Sequence, residues 1–243
     1  MKMRAFAIRN AKEILRDPLT LAFGIGFPLV LLFLLSAIQQ NVPESLFQID
    51  HLTPGIAIFG LSFMTRFSAT IVSKDRSSAF LQRLYTTPMR PVDFILGYTL
   101  PLLPIALLQC IVCYLAAMLL GLQCTVNVGY AVLIHLPSAV FFIALGLLFG
   151  SVLREKQVGG ICGALLTNLC AWLSGTWFDL SLVGGAFEKI AGVLPFLHAV
   201  EMERNVLCGQ MIGIFPHIAW VTGYAFVALI AAVFLFLKQM KRT

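Results

Sequence analysis

Apolar and polar positions in this chain separate into whole segments. Six apolar runs, roughly 19–38, 54–73, 98–120, 128–152, 157–178 and 216–238, reach the length of about 18 residues or more that reads as a membrane span. The polar stretches between them leave little chain for a soluble domain. Residues 1–243 therefore read as a single all-α membrane domain with six transmembrane helices. The first run is too long, starts too late and lacks the cleavage site of a secretory leader.

Three segments depart from this pattern. In residues 1–18, Met3, Ala7, Ile8, Ala11, Ile14 and Leu15 recur at helical spacing opposite Lys2, Arg9, Lys12, Glu13 and Arg16, with Arg4 and Phe6 off the pattern. An amphipathic helix on the headgroups is expected there, turned into the first span at Asp17-Pro18. Residues 75–91 mix charges, prolines and helix formers between two apolar runs. Phe80, Leu81 and Leu84 form a ridge there, with Arg76, Gln82 and Arg83 on the polar side. Asp75 suits a helix start, and Pro88 and Pro91 stop the helix. A cytoplasmic helix of about ten residues is marginal alone in water and needs a surface to pack on. Residues 179–215 are too apolar for a free loop and too broken by Gly184, Gly185, Gly192 and Pro195 to span. Two short re-entrant helices between spans five and six are expected, since irregular backbone survives at membrane depth only inside protein. A small external cap is the alternative.

Composition supports the membrane reading: 59% of residues are hydrophobic and 12% charged, against about 25% charged in ordinary soluble domains. Charge placement gives orientation. Lys2, Arg4, Arg9, Lys12 and Arg16 precede the first span, Lys74, Arg76, Arg83 and Arg90 follow the second, Arg154 and Lys156 follow the fourth, and Lys238, Lys241 and Arg242 follow the last. Only Lys189 and Arg204 fall in the opposite loops. Basic residues stay on the cytoplasmic side, so both termini are expected there. The net charge of +6 reflects this topology and the anionic headgroups, and implies no nucleic-acid partner.

Catalytic chemistry is not legible. There is no Gly-x-x-x-x-Gly-Lys-Ser/Thr phosphate loop, no His-Glu-x-x-His and no Gly-x-Ser-x-Gly. His51, His135, His198 and His217 are far apart in sequence, with no metal-ligand spacing. Every Asp and Glu lies at or outside a span boundary. Cys110, Cys113, Cys162 and Cys170 fall within spans, where Cys packs as a small apolar residue; Cys124 and Cys208 share the outer side, and sequence leaves their pairing open. Gly146-x-x-x-Gly150 and Gly159-x-x-x-Gly163 have the spacing of close helix packing. Arg66 is the one clear charge inside a span, about 10 Å from its cytoplasmic end. It is either functional or reaches back to the headgroups. Arg66 and Asn168 are candidates for a translocation path, with Gln109 and His135 as further polar positions.

Two stretches carry a resemblance. "LTPGIAIFGLSF" and "DRSSAFLQRLYTTPMRPVDFILGYTL" are similar to the second span and following loop of ABC-transporter type-2 permeases, at Pro54-Gly55, Asp75, Leu81, Leu84 and Thr87-Pro88, with Ala79 where the family has Gly. "LPFLHAVEMERNVLCG" resembles the stretch before the last span, at Pro195, Phe196, Arg204 and Gly209. The resemblance implies a permease of an ATP-driven exporter of an amphiphile such as a drug, lipid-linked glycan or peptide, in the inner (plasma) membrane. It implies association with two cytoplasmic ATPase subunits and a second permease copy or paralogue. The N-terminal helix and the 75–91 segment would contact the ATPases, through Asp75, Arg76, Phe80, Leu81, Arg83, Leu84 and Pro88. Substrate would pass near spans one, two and five. This chain would then carry no cofactor and no catalytic residue, with ATP and Mg²⁺ on the partner. The competing classes are an ion-coupled carrier or channel, which needs intramembrane acidic or Na⁺-ligating groups, and a membrane enzyme, which needs a catalytic constellation.

Overall fold

The structure, a computed structural model, describes residues 2–41, 47–78, 80 and 89–240. Its elements in chain order are α1 (Lys2–Leu15), α2 (Pro18–Leu21), a π-helical turn (Ala22–Gly26), α3 (Phe27–Asn41), α4 (Ile49–Ser77), α5 (Pro91–Leu119), α6 (Val126–Val152) and α7 (Glu155–Val158). A second π-helical stretch (Gly159–Leu165) leads into α8 (Leu166–Leu173), followed by α9 (Gly185–Val193), α10 (Pro195–Leu207) and α11 (Ile214–Met240). The described residues are helical without strands, as expected.

Among the described residues, five helices are long and apolar enough to cross a membrane: Ala22–Asn41, Ile49–Ser77, Val92–Leu119, Val126–Val152 and Met211–Lys238. The remaining expected span, 157–178, is helical only to Leu173 and opens with the polar Glu155, Lys156 and Gln157. Its apolar part from Val158 covers about 24 Å at 1.5 Å per residue, short of a hydrocarbon core of roughly 30 Å. In contrast, α4 is about 43 Å long by the same rise, so its ends reach past that core.

Both π-helical stretches have local causes. Pro28 has no N–H to give the carbonyl of Gly24, and the Phe27 N–H bonds the Ala22 carbonyl five residues back. In the second, Gly159, Gly160 and Gly163 remove side-chain support, and the Leu166 N–H again reaches five residues back, to Ile161.

Helix α4 is the central post. Leu52 through Phe63 are buried without interruption, and α6 packs closely on the stretch from Thr65 to Val72. That seam is made by small and hydroxyl residues. A side chain at Gly146 would meet the Thr65 carbonyl at 2.5 Å, and one at Gly150 the Ala69 carbonyl at 2.8 Å. The Thr65 hydroxyl donates to the Phe142 carbonyl (2.7 Å) and the Ser68 hydroxyl to that of Ile143 (3.2 Å). Close backbone approach and interhelical hydrogen bonds replace the hydrophobic effect as glue between spans. The Gly146/Gly150 pair is thus a packing seam. The Gly159/Gly163 pair is not: Gly159 faces open space, and Gly163 faces the Arg66 side chain.

Segment 179–215 folds as a 3₁₀ turn (Leu180–Leu182), α9, α10 and a second 3₁₀ turn (Met211–Gly213) at the opposite end of the bundle from α1. Pro195 opens α10, and Phe196 packs on Phe141 and Phe142. The buried Arg204 guanidinium donates to the carbonyls of His51 and Gly175 and pairs with Glu201 at 2.7 Å. Gly209 has φ +73°, where a Cβ is strained. Cys124 and Cys208 are exposed free thiols.

Replacing Gly146 by Leu forces α4 and α6 apart, because the obstacle is backbone. We expect a loss of about 1–3 kcal/mol or outright misfolding, read as a lower melting temperature in detergent. Gly129→Leu, in open space, leaves it nearly unchanged.

Candidate functional site: the junction beneath the N-terminal helix

The last turn of α4 meets α1 and the first turns of α5. Asp75 and Arg76 belong to α4 itself, not to the start of a separate helix as expected from sequence. Asp75 is 2% exposed. Its Oδ2 accepts from the Arg9 guanidinium at 2.7 Å and from the Tyr98 hydroxyl at 3.0 Å. One carboxylate oxygen thereby joins α1, α4 and α5. Burial opposes the Arg9 charge most strongly, but the bond to Asp75 and the fields of Asp75 and Glu13 outweigh it and raise its pKa.

The rest of α1 reinforces this point. The face turned to the bundle is Phe6, Asn10 and Ile14, all buried, while Ile8 and Leu15 are more than half exposed. Ile8 and Leu15, on the face expected to meet the headgroups, point away from the bundle, and Phe6, off the apolar pattern, fills the bundle face. Phe6 contacts Tyr98, Phe94 and Phe80 with ring centroids 4.9, 6.2 and 6.2 Å away. It fits because Gly97 has no side chain: a Cβ there would stand 2.2 Å from the Phe6 ring. The Asn10 amide donates to the Gly97 carbonyl at 2.9 Å, satisfying a polar group with no exposure. The Arg9 guanidinium lies 4.4 Å over the Phe80 ring. Glu13 pairs with Arg9 (2.8 Å) and with Lys74 (2.7 Å), the latter at the surface and of little energetic weight.

Arg76 points the other way and donates to the carbonyls of Ser151 and Leu153 at the end of α6. Helix-end carbonyls lack intrahelical partners, and a basic side chain is a favourable cap. Asp75, Arg76 and Phe80, expected on a docking surface, are therefore engaged by this chain's own helices. Leu81, Arg83, Leu84 and Pro88 lie outside the described residues.

Arg66 lies on α4 against both π-helical stretches. Its guanidinium carbon is 5.9 Å from the Phe23 ring of the first, and its side chain fills the space over Gly163 of the second. π-Helical stretches recur at functional sites. Asn168 is exposed and donates to the Ala164 carbonyl of its own helix at 2.9 Å, so no hydrogen bond joins it to Arg66. Gln109 donates to the Ala57 carbonyl at 3.3 Å and serves helix contact.

One cluster had no sequence signal. Glu203 on α10 is fully buried, with His135 Nδ1 at 2.6 Å and the Tyr114 hydroxyl donating to it at 2.8 Å. Glu203 lies outside every apolar run, yet α10 folds back and carries it in among the spans. Its partners are 68 and 89 positions away, beyond any spacing rule. Likewise His198 and His217, distant in sequence, have Nδ1 atoms 2.8 Å apart. The His198 Nε2–H faces the Gly192 carbonyl at 2.8 Å, which makes His217 the donor when both rings are neutral.

Two substitutions test these networks. Asp75→Ala removes the carboxylate that Arg9 and Tyr98 share, leaving Arg9 to Glu13 and Asn10, and is expected to cost about 2 kcal/mol, read as faster proteolytic cleavage within α1. Glu203→Ala exposes no surface but strands His135 and Tyr114, and about 3 kcal/mol of stability is expected to go, read by thermal unfolding in detergent.

Compared with known proteins, residues 1–208 match the profile of the ABC-2 type transporter family. "ABC transporter G family member 20" of Dictyostelium discoideum is 29% identical over 171 residues, which cover 68% of this chain and 23% of that relative. The chain thus matches less than a quarter of that relative's length.

Proposed function

Because the chain belongs to the ABC-2 type transporter family, we propose that this multi-pass membrane protein is the permease subunit of an ATP-driven exporter. The carrying observation is the Asp75 junction: one of the residues that carry the family resemblance is also the one that ties α1 to the spans. In this reading both termini are cytoplasmic, α1 lies at the inner headgroups, the short α7–α8 rod completes a sixth span, and α9 and α10 dip back from the outer side. An ATPase, binding ATP and Mg²⁺ on its own chain, docks on α1 and on the segment reaching Pro88. Leu81, Arg83 and Leu84 offer the contact; Asp75, Arg76 and Phe80 hold that contact rigidly to the bundle. Movement of the docked ATPase then shifts the spans as a body.

Two ATPase subunits and a second permease, copy or paralogue, complete the transporter in the inner (plasma) membrane. The exposed Asn168 supports a partner at that face, since an amide on a span is costly against lipid. An amphiphile, whether a drug, lipid-linked glycan or peptide, passes outward between the permeases, with Arg66 beside the first and fifth segments contacting it.

The test is co-purification in detergent. An ATPase bearing a phosphate loop is expected to accompany the wild-type chain, and Leu81→Asp with Leu84→Asp to release it without loss of membrane insertion. A chain that purifies alone and transports without nucleotide is instead the ion-coupled carrier. Arg66→Leu is expected to lower transport or uncouple it from ATP turnover. Unchanged transport assigns Arg66 to the headgroups.

A further inference from the structure

A cavity of about 720 Å³ runs between α1 and α4. Ile8, Lys12 and Arg16 line it at four-residue spacing from one side, and Phe67, Ile71 and Lys74 from the other. Its floor is apolar and its rim basic. Two carboxylates share its wall, Glu13, already bonded to Arg9 and Lys74, and Asp17. Asp17 Oδ1 accepts the Leu19 backbone N–H at 3.1 Å. Among the described residues no ion pair joins Lys12 or Arg16 to a carboxylate. Like charges four residues apart on a helix repel, so this pair favours an anion between them.

We propose that the groove holds an anionic glycerophospholipid, with its phosphate between Lys12 and Arg16 and an acyl chain along Ile8, Phe67 and Ile71. A free phosphate would gain nothing from that floor, whereas a lipid uses both surfaces. The bound lipid would wedge α1 against α4 beside the Asp75 junction and steady the helix on which the proposed ATPase contact depends. The site rests on the interfacial placement of α1 proposed above.

The test places the chain in nanodiscs of mixed phosphatidylcholine and phosphatidylglycerol, transfers it to detergent, and identifies retained lipid by native mass spectrometry. Wild type is expected to retain phosphatidylglycerol preferentially. Lys12→Gln with Arg16→Gln is expected to lower that preference by about fivefold for each cation removed. Arg154→Gln with Lys156→Gln, on the same side but outside the groove, leaves it unchanged, and excess inorganic phosphate does not displace the lipid. Equal retention of both lipids, an unaltered preference in the Lys12/Arg16 variant, an equal loss in the Arg154/Lys156 variant, or displacement by inorganic phosphate each overturns the site. A chain that fails to enter the bilayer overturns the membrane placement and the groove together; an inserted chain without preference overturns the groove alone.

Discussion

A carboxylate buried at a helix end must be matched where it stands, because desolvation penalises its charge and only fixed partners repay it. Asp75 is matched by Arg9 of the N-terminal helix and Tyr98 of α5. Neither partner is on its own helix, so the requirement is met only when three elements assemble together. Phe6 over the bare Gly97 backbone, Asn10 on the Gly97 carbonyl and Arg9 over Phe80 then follow as packing around that point. A helix of fourteen residues, marginal alone, becomes a fixed part of the bundle.

From this junction close packing continues along α4 toward the opposite end. The α4–α6 seam allows no side chain at Gly146 or Gly150 and is stitched by Thr65 and Ser68. At its far end Arg204 ties α10 to the start of α4 and to Gly175, while Glu203 ties α10 to α5 and α6. The two ends share the same post. Beside that post stand the π-helical stretches flanking Arg66, where backbone bonding slips by one residue.

Much of this was legible before the fold. Five of the six long apolar runs correspond to helices long enough to span, since a bilayer demands length and little else, while 157–178 is interrupted by its π-helical turn and ends at Leu173. The Pro-Gly, Asp and Arg positions of the family pattern acquire physical reasons: Gly55 leaves room for Thr176, Asp75 ties three helices, and Arg204 closes the end of the bundle opposite α1. What sequence could not supply was facing. The apolar pattern of α1 gave a face for the headgroups with Phe6 off it, but not the bundle contact, which Phe6 makes by packing on the bare Gly97 backbone. The pattern also placed Asp75 at a helix start, because a charge after an apolar run resembles a boundary; α4 continues through it to Ser77. Glu203 with His135 is a pairing across distant segments, and only tertiary structure brings those together.

The central claim is that Arg9 and Asp75 act as one unit in passing ATPase movement to the spans. A double-mutant cycle on ATP-driven transport by the reconstituted transporter tests it most directly, using Arg9→Gln, Asp75→Asn and both together, with ATP hydrolysis measured in parallel. The account predicts that each single change lowers transport per ATP hydrolysed, and that the double variant is no worse than the more damaged single. Strictly additive losses, or singles that transport as well as wild type, would contradict it.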